Sequence, residues 1–157
     1  MSLRLTSASA VFFAHIDPSA VRGVRFLDID KYYACLMLGL KSRKLGSEGD
    51  FRDPFLAAGA KYPDVYSDVS DYIAGLLVEA EIRRRNLNST DRDLIESETV
   101  KLLDPRSPLG LSDTGIELLN RYAAGGFEQL RDHMGAPYSL EVFLVKYAEI
   151  WNKIESQ

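Results

Sequence analysis

The sequence predicts an all-α fold, a compact bundle of five to six helices in a single domain covering residues 1–157. Apolar residues return every three or four positions through several long segments, the spacing of a helix that buries one face. Capping residues such as serine and aspartate precede these segments, and glycine or proline follows them. A chain of 157 residues that is 46% hydrophobic and 27% charged has the size and composition of one globular domain.

Residues 1–27 form an N-terminal arm for which the sequence leaves several structures open. They hold two apolar runs, AVFFAHI at 10–16 and VRGVRFL at 21–27. These runs suit a short β-hairpin or an extended arm around Asp17-Pro18, and they also suit a short helix that begins at Pro18.

A first long helix is predicted from Asp28 or Asp30, either of which can cap its N-terminus, to Gly46. Glycine often follows the last turn of a helix, because it adopts the left-handed conformation without strain. The next residues, 46–63, carry Gly, Asp and Pro at short intervals and are predicted as a loop.

The segment 64–85 has the clearest helical period in the chain. Its main apolar line is Val65, Val69, Tyr72, Ile73, Leu76, Leu77 and Ala80, and a second, thinner line is Gly75, Val78 and Ile82. A helix with two apolar lines is expected to lie between neighbours. We therefore predict that 64–85 is the central helix, packed by helices 112–134 and 139–154.

Three further helices follow. One begins at Ser89 or Thr90, where Thr90 and Asp93 resemble a capping box, and ends before Pro105. The next is capped by Ser112 and keeps its apolar phase through Gly125-Gly126 to about Met134. Glycine costs up to about 1 kcal/mol in a helix interior, so we expect a kink or break at this pair. The last helix is capped by Ser139 and has a wide apolar stripe.

The residue types that carry catalysis lack the partners that such chemistry needs. Cys35 lies among apolar neighbours, where burial raises the pKa of a thiol, and His15 and His133 have no companion at a fixed spacing. The acidic residues of helices 64–85 and 90–104 are typical of a solvated helix surface, and no nucleotide-binding glycine loop occurs. The sequence predicts no catalytic residue, no metal and no cofactor.

One enzymatic alternative stays open. It places a small pocket behind Gly125-Gly126, near Asn120, Tyr122 and His133. A deep pocket with converging polar groups at this place would favour an enzyme, and a filled core would disfavour it.

The composition also bears on the compartment of the protein. No apolar run approaches the roughly 20 residues that a membrane-spanning helix needs. A single cysteine excludes an internal disulfide and favours a cytoplasmic protein. We therefore expect no membrane partner.

Two basic clusters support a second alternative, a nucleic-acid-binding adaptor. They are Lys41, Arg43 and Lys44 in the first long helix, and Arg83, Arg84 and Arg85 in the second. Both lie at predicted helix C-termini, where cations compensate the helix dipole in any case. A helix-turn-helix interpretation of 90–124 fails because its linker of about eight residues exceeds the usual three or four.

The segment DKYYACLMLGLKSRKLG, within residues 28–46, resembles a helix of small accessory proteins from bacterial DNA phosphorothioation and defence gene clusters. In both, an apolar stretch ends in a leucine-glycine-basic turn. The resemblance implies a supporting subunit that acts beside DNA-handling enzymes. It transfers no functional residue to this chain.

The helix at 28–45 is also predicted to associate with another chain. Nine successive uncharged residues, from Tyr32 to Leu40, cover its whole circumference at about 100° per residue. Burial inside one domain accounts for all of these residues in one interpretation. In the other, Tyr33, Met37 and Leu40 form an interface, and the cations after them favour an acidic partner surface.

The sequence therefore predicts a non-catalytic accessory subunit that associates with itself or with another protein. A homodimer is the simplest version, because closed two-fold pairing is the commonest oligomer.

Overall fold

A computed structural model describes residues 1–16, 25–47 and 49–156. Helices make up 61% of the structure and strands are almost absent from it, which confirms the all-α prediction. The helices in the described ranges are α1 (Ser7–Phe13), α2 (Asp28–Ser42), α3 (Asp64–Ser67), α4 (Ser70–Arg84), α5 (Arg92–Leu102), α6 (Asp113–His133) and α7 (Leu140–Glu155).

The chain divides into two compact units. The first consists of Met1–Leu3 and Leu56–Asn120, and it holds α3, α4, α5 and the start of α6. The second consists of Arg4–Phe55 and Arg121–Gln157, and it holds α1, α2, the rest of α6 and α7.

The first unit is built around the pairing of α4 with α5. Glu98 of α5 is 6% exposed and pairs with Arg85, which follows the last turn of α4. A buried carboxylate needs such a partner, because desolvation of an unpaired charge is costly. Ser112 caps α6 as predicted: its hydroxyl accepts a hydrogen bond from the Gly115 N–H at 3.1 Å and donates one to the Lys101 carbonyl at 2.7 Å.

The segment 64–85 is not the single central helix that its period predicts. It divides into α3 and α4 at Asp68-Val69. The hydroxyls of Ser67 and Ser70 donate to backbone carbonyls three residues earlier, which offers the backbone an alternative to a continuous helix. Its main apolar line is only partly enclosed: Ile73, Leu77 and Ala80 are at most 3% exposed, whereas Tyr72 is 72% exposed.

The start of α5 differs from the expected capping box. The helix begins at Arg92, and Asp91 accepts a hydrogen bond from the Asn88 N–H at 2.9 Å. The N–H of Thr90 in turn donates to the side chain of Asn88 at 3.0 Å. Asparagine and aspartate thus close a local turn before the helix, as short polar side chains commonly do.

The second unit is organised by a close approach of α2 and α6, and α6 is continuous through Gly125-Gly126. The helix is therefore not broken into two at this pair, as the sequence allowed. A Cβ on Gly126 would overlap the carbonyl oxygen of Cys35, and a Cβ on Gly39 would overlap that of Tyr122. Backbone contact with a neighbouring segment explains the glycines, which are placed for packing and not for a bend.

The end of α2 also differs from its prediction. The helix stops at Ser42, and Arg43 takes the left-handed conformation with φ 53°. Gly46 lies beyond the helix, where its N–H donates to the Arg121 carbonyl at 2.8 Å. Its lack of a side chain leaves room for Ala124 of α6.

The N-terminal arm contains a helix in place of the first strand of a hairpin. Thr6 caps α1 by accepting from the Ser9 N–H at 3.1 Å, and residues 10–13 of AVFFAHI are helical. Thr6 also forms an isolated antiparallel bridge with Phe51. The turn at Asp17-Pro18 and the alternative helix from Pro18 lie outside the described residues.

The last helix, α7, begins as the sequence predicts. The Ser139 hydroxyl accepts from the Val142 N–H at 3.2 Å. Phe143 is 1% exposed and contacts the ring of Phe13 edge-on, with centroids 5.3 Å apart, and that of Phe26 at 5.5 Å. These rings fix one face of α7 in the core of the second unit.

No helix within residues 1–16, 25–47 and 49–156 combines the length and the apolar character that crossing a bilayer requires.

Candidate protein interface

A shallow groove open to solvent lies between α2 and α7 in the second unit. We call it the α2–α7 groove; it is lined by Tyr33, Met37, Tyr147, Ala148, Trp151 and Asn152. The two side chains from α2 are four residues apart, and those from α7 form two adjacent pairs that are also four residues apart, so each helix presents one face to the groove.

Tyr147 holds α7 against α2. Its hydroxyl donates a hydrogen bond to the Ala34 carbonyl at 2.7 Å, and its ring stacks on that of Trp151 with centroids 6.3 Å apart. Burial raises the pKa of Tyr147 well above its ordinary value, and the nearby Cys35 and Tyr33 act in the same direction. The hydroxyl is therefore a neutral donor that positions the wall of the groove.

Lys41 closes one end of the groove. Its ammonium lies 4.2 Å from the centre of the Trp151 ring and 3.4 Å from a carboxylate oxygen of Glu155. The first distance is well within the range of a cation–π contact. Tyr147 and Lys41 thus both contact the indole of Trp151 and hold it in place.

The apolar surface continues from the groove along α7. Leu144 is 52% exposed and precedes Trp151 by seven residues, so both lie on nearly the same line of the helix. Val145 is 61% exposed beside it. Clustered exposed apolar residues are typical of a surface that another molecule covers.

The structure brings together two of the three predicted interface residues. Tyr33 and Met37 line the groove and are partly exposed, whereas Leu40 is 7% exposed and lies inside the chain. A helical wheel explains the difference, because Leu40 lies about 60° from Met37, toward the buried side of α2.

The sequence predicts a wide apolar stripe on α7 that includes Tyr147 and Trp151, but it names no α7 residue as part of an interface. The available signal was the width of that stripe. Leu144, Ala148 and Trp151 extend it well to one side of the buried Phe143 and Ile150. A single buried face needs a stripe of only about 100° or slightly more.

The two predicted basic clusters belong to different units. In the second unit, Lys41 pairs with Glu155 and Lys44 with Glu128, both at 3.4 Å, while Arg43 is exposed. In the first unit, each arginine of the cluster has a carboxylate partner: Arg83 pairs with Glu79, Arg84 with Glu81 and Arg85 with Glu98. A phosphate would have to compete with these carboxylates, and the nucleic-acid adaptor stays a prediction.

Among the described residues, backbone and not a pocket lies directly against Gly125 and Gly126. The carbonyl of Lys44 contacts Gly125 and that of Cys35 contacts Gly126, so backbone fills the space. Of the polar groups expected there, His133 is exposed and its Nδ1 lies 2.8 Å from the Gln129 carbonyl oxygen.

The groups considered for nucleophilic or metal chemistry are also located. Cys35 is 1% exposed, and burial raises the pKa of its thiol. Of the acidic residues in the segment 64–85, Asp64 lies on α3 and Asp71 on α4, and both are exposed. Within the described ranges, no three His, Cys, Asp or Glu side chains are grouped so as to hold a metal ion.

Comparison with known proteins gives no match: no family model, no curated protein and no solved structure matches this chain. The α2–α7 groove itself is therefore the feature from which a function can be inferred.

Proposed function

We propose that this chain is a non-catalytic accessory subunit that binds a protein, either a second copy of itself or another chain, through the α2–α7 groove. The observation that carries the proposal is the partial exposure of Tyr33, Met37 and Trp151 in one open groove. Aromatic residues and methionine are enriched in protein interfaces, and Trp and Tyr most often supply their binding energy.

The rigidity of the groove supports the same proposal. Trp151 is stacked on Tyr147 and covered by Lys41, and Tyr147 is hydrogen-bonded to α2. Side chains that are already held in place lose little conformational entropy on binding, so more of the contact energy appears as affinity.

We place this subunit in the cytoplasm, beside the enzymes of a bacterial DNA-modification or defence system. The resemblance of residues 28–46 to accessory proteins of such systems supports the role in DNA modification or defence. The single cysteine, which is buried and unpaired, supports the cytoplasmic location.

Met37→Glu tests the role of the groove, and Val100→Glu is its matched control. Val100 is 72% exposed on α5 in the other unit, so both variants add one carboxylate to the surface. Tagged wild type should purify as an oligomer or with a stoichiometric partner. Met37→Glu should weaken this association at least about tenfold, because it puts a charge where apolar contact is needed, and Val100→Glu should not.

Light scattering and quantitative mass spectrometry of the purified material provide the two readouts. Equal recovery of the partner by Met37→Glu and Val100→Glu would contradict binding at the groove. A wild-type chain that is monomeric and purifies without a partner would contradict the proposed function as a whole.

A further inference from the structure

The exposed side of α7 carries a seam of five residues spaced alternately three and four apart. We call it the α7 seam; it consists of Glu141, Leu144, Ala148, Trp151 and Glu155. This spacing is the one by which two helices pair along their length. Four of the five side chains are exposed, and Trp151 is partly exposed in the groove.

The α7 seam is nearly symmetric about Ala148. Leu144 lies four residues before Ala148 and Trp151 lies three residues after it, so an antiparallel second α7 would bring leucine to tryptophan on both sides. The small side chain of Ala148 at the crossing allows two helices to approach closely. The same surface of each copy would meet the other, as a two-fold interface requires.

The charges fit the antiparallel direction. Tyr147 contacts Ala34 and Trp151 contacts Lys41, so α2 and α7 run in the same direction and Lys41 lies at the Glu155 end of the seam. Glu141 precedes Ala148 by the seven residues by which Glu155 follows it. In an antiparallel second copy, Glu141 therefore lies at the end of the seam where Lys41 and Glu155 of the first copy lie.

Glu141 is exposed and forms no ion pair within the described part of the chain. Lys41 has one carboxylate partner, Glu155, and an ammonium has three donors. Lys41 would then lie between Glu155 of its own chain and Glu141 of the second copy, which offsets the repulsion of the two carboxylates.

We propose that the occupant of the α2–α7 groove is α7 of a second copy, crossing antiparallel at Ala148 with Lys41 of each copy paired to Glu141 of the other. This inference rests on the proposed function and names its partner.

Exchange of the two charges tests the arrangement. Wild type should be a dimer by sedimentation equilibrium at low salt. Lys41→Glu and Glu141→Lys should each dimerise about tenfold more weakly, or worse, because both copies of the pair become like charges. An equimolar mixture of the two variants should dimerise like wild type, since both contacts in the mixed dimer again join a lysine to a glutamate.

The mixing experiment separates the possible failures. If the single variants dimerise like wild type, or the mixture stays as weak as its components, the antiparallel arrangement is overturned. A monomeric wild type that binds a different protein, and loses it in Met37→Glu, overturns the second copy and leaves the proposed function standing. A monomeric wild type without a groove-dependent partner overturns both.

Cysteine cross-linking gives a second readout that does not involve Lys41. Ala148→Cys places two thiols at the crossing, and under mild oxidation it should form an intermolecular disulfide. Its control is Glu149→Cys. Glu149 is also exposed, but it lies about 100° around the helix from Ala148. The native Cys35 is 1% exposed and should not contribute. Cross-linking of the control at the same rate would overturn the crossing at Ala148.

Discussion

Gly126 shows how a single missing side chain determines the contact between two segments of the second unit. A Cβ at this position would overlap the carbonyl oxygen of Cys35, and backbone cannot move aside as a flexible side chain can. We expect Gly126→Ala to lower the free energy of unfolding by about 3 kcal/mol or more. Urea denaturation followed by the fluorescence of Trp151, the only tryptophan, measures it.

Gly75→Ala is the control for this prediction. Gly75 lies within α4, and a Cβ there would have no atom within 4 Å. The same substitution should raise stability by about 0.5–1 kcal/mol, because alanine is the better helix former. Circular dichroism in urea reports it, and a similar loss in both variants would contradict the packing role of Gly126.

The buried Tyr62 and the partly buried Tyr147 differ in whether their hydroxyls are paired. Tyr147 donates to Ala34, whereas the hydroxyl of Tyr62 has no partner among the described residues. Tyr147→Phe should cost about 1 kcal/mol, and Tyr62→Phe should raise stability by about 1 kcal/mol. Urea denaturation at pH 7 measures both changes, and equal effects would contradict the difference in pairing.

The raised pKa values of the same two tyrosines predict that the folded protein loses stability at alkaline pH. Burial raises the pKa of Tyr62 and of Tyr147 above the ordinary value. The unfolded chain therefore releases these protons first, so stability is unaffected below about pH 10 and falls as the pH rises further. Each Phe variant should reduce the slope of this loss by up to about 1.4 kcal/mol per pH unit. Denaturant titrations between pH 8 and 11 test this, and unchanged slopes would contradict it.

At the scale of the element, the helix starts at Ser112 and Ser139 were predictable because a capping hydroxyl acts within a few residues of sequence. The continuity of α6 through Gly125-Gly126 was not predictable from the sequence. Two glycines weaken a helix in isolation, and only the backbone of Cys35 and Lys44 against them explains why the helix persists. The division of α3 from α4 has a local cause, since serine hydroxyls bond to the backbone there. The apolar period continues across this division and therefore does not predict it.

The cap of α7 provides a test at this scale. Ser139 accepts from the Val142 N–H, one of the donors that a helix leaves unpaired at its start. Ser139→Ala should cost about 1 kcal/mol. Ser156→Ala, at the exposed other end of α7, should cost only a few tenths, since its hydroxyl donates to a solvent-exposed turn. Fluorescence-monitored urea denaturation compares them, and equal costs would contradict the capping role.

At the scale of the whole molecule, the helical period was sufficient for the fold class but not for which helix is enclosed. Tyr72 and Val65 match the apolar template of 64–85, yet they are 72% and 87% exposed. The sequence located the α2 half of the candidate interface, Tyr33 and Met37, because uncharged residues continued past what one buried face needs. It did not locate the α7 half, since the side of a wide stripe that stays exposed depends on which neighbour covers the rest.

Association through the α2–α7 groove also predicts how stability depends on concentration. Binding to the folded chain but not to the unfolded chain adds stability by mass action, so the wild-type Tm should rise with protein concentration. The Tm of Met37→Glu should depend less on concentration, because a carboxylate in the apolar groove weakens association, while Val100→Glu should behave like wild type. Thermal scans by circular dichroism across a hundredfold range of concentration measure this. A concentration-independent wild-type Tm would contradict self-association, whereas an equal rise in Met37→Glu would place the contact elsewhere on the surface.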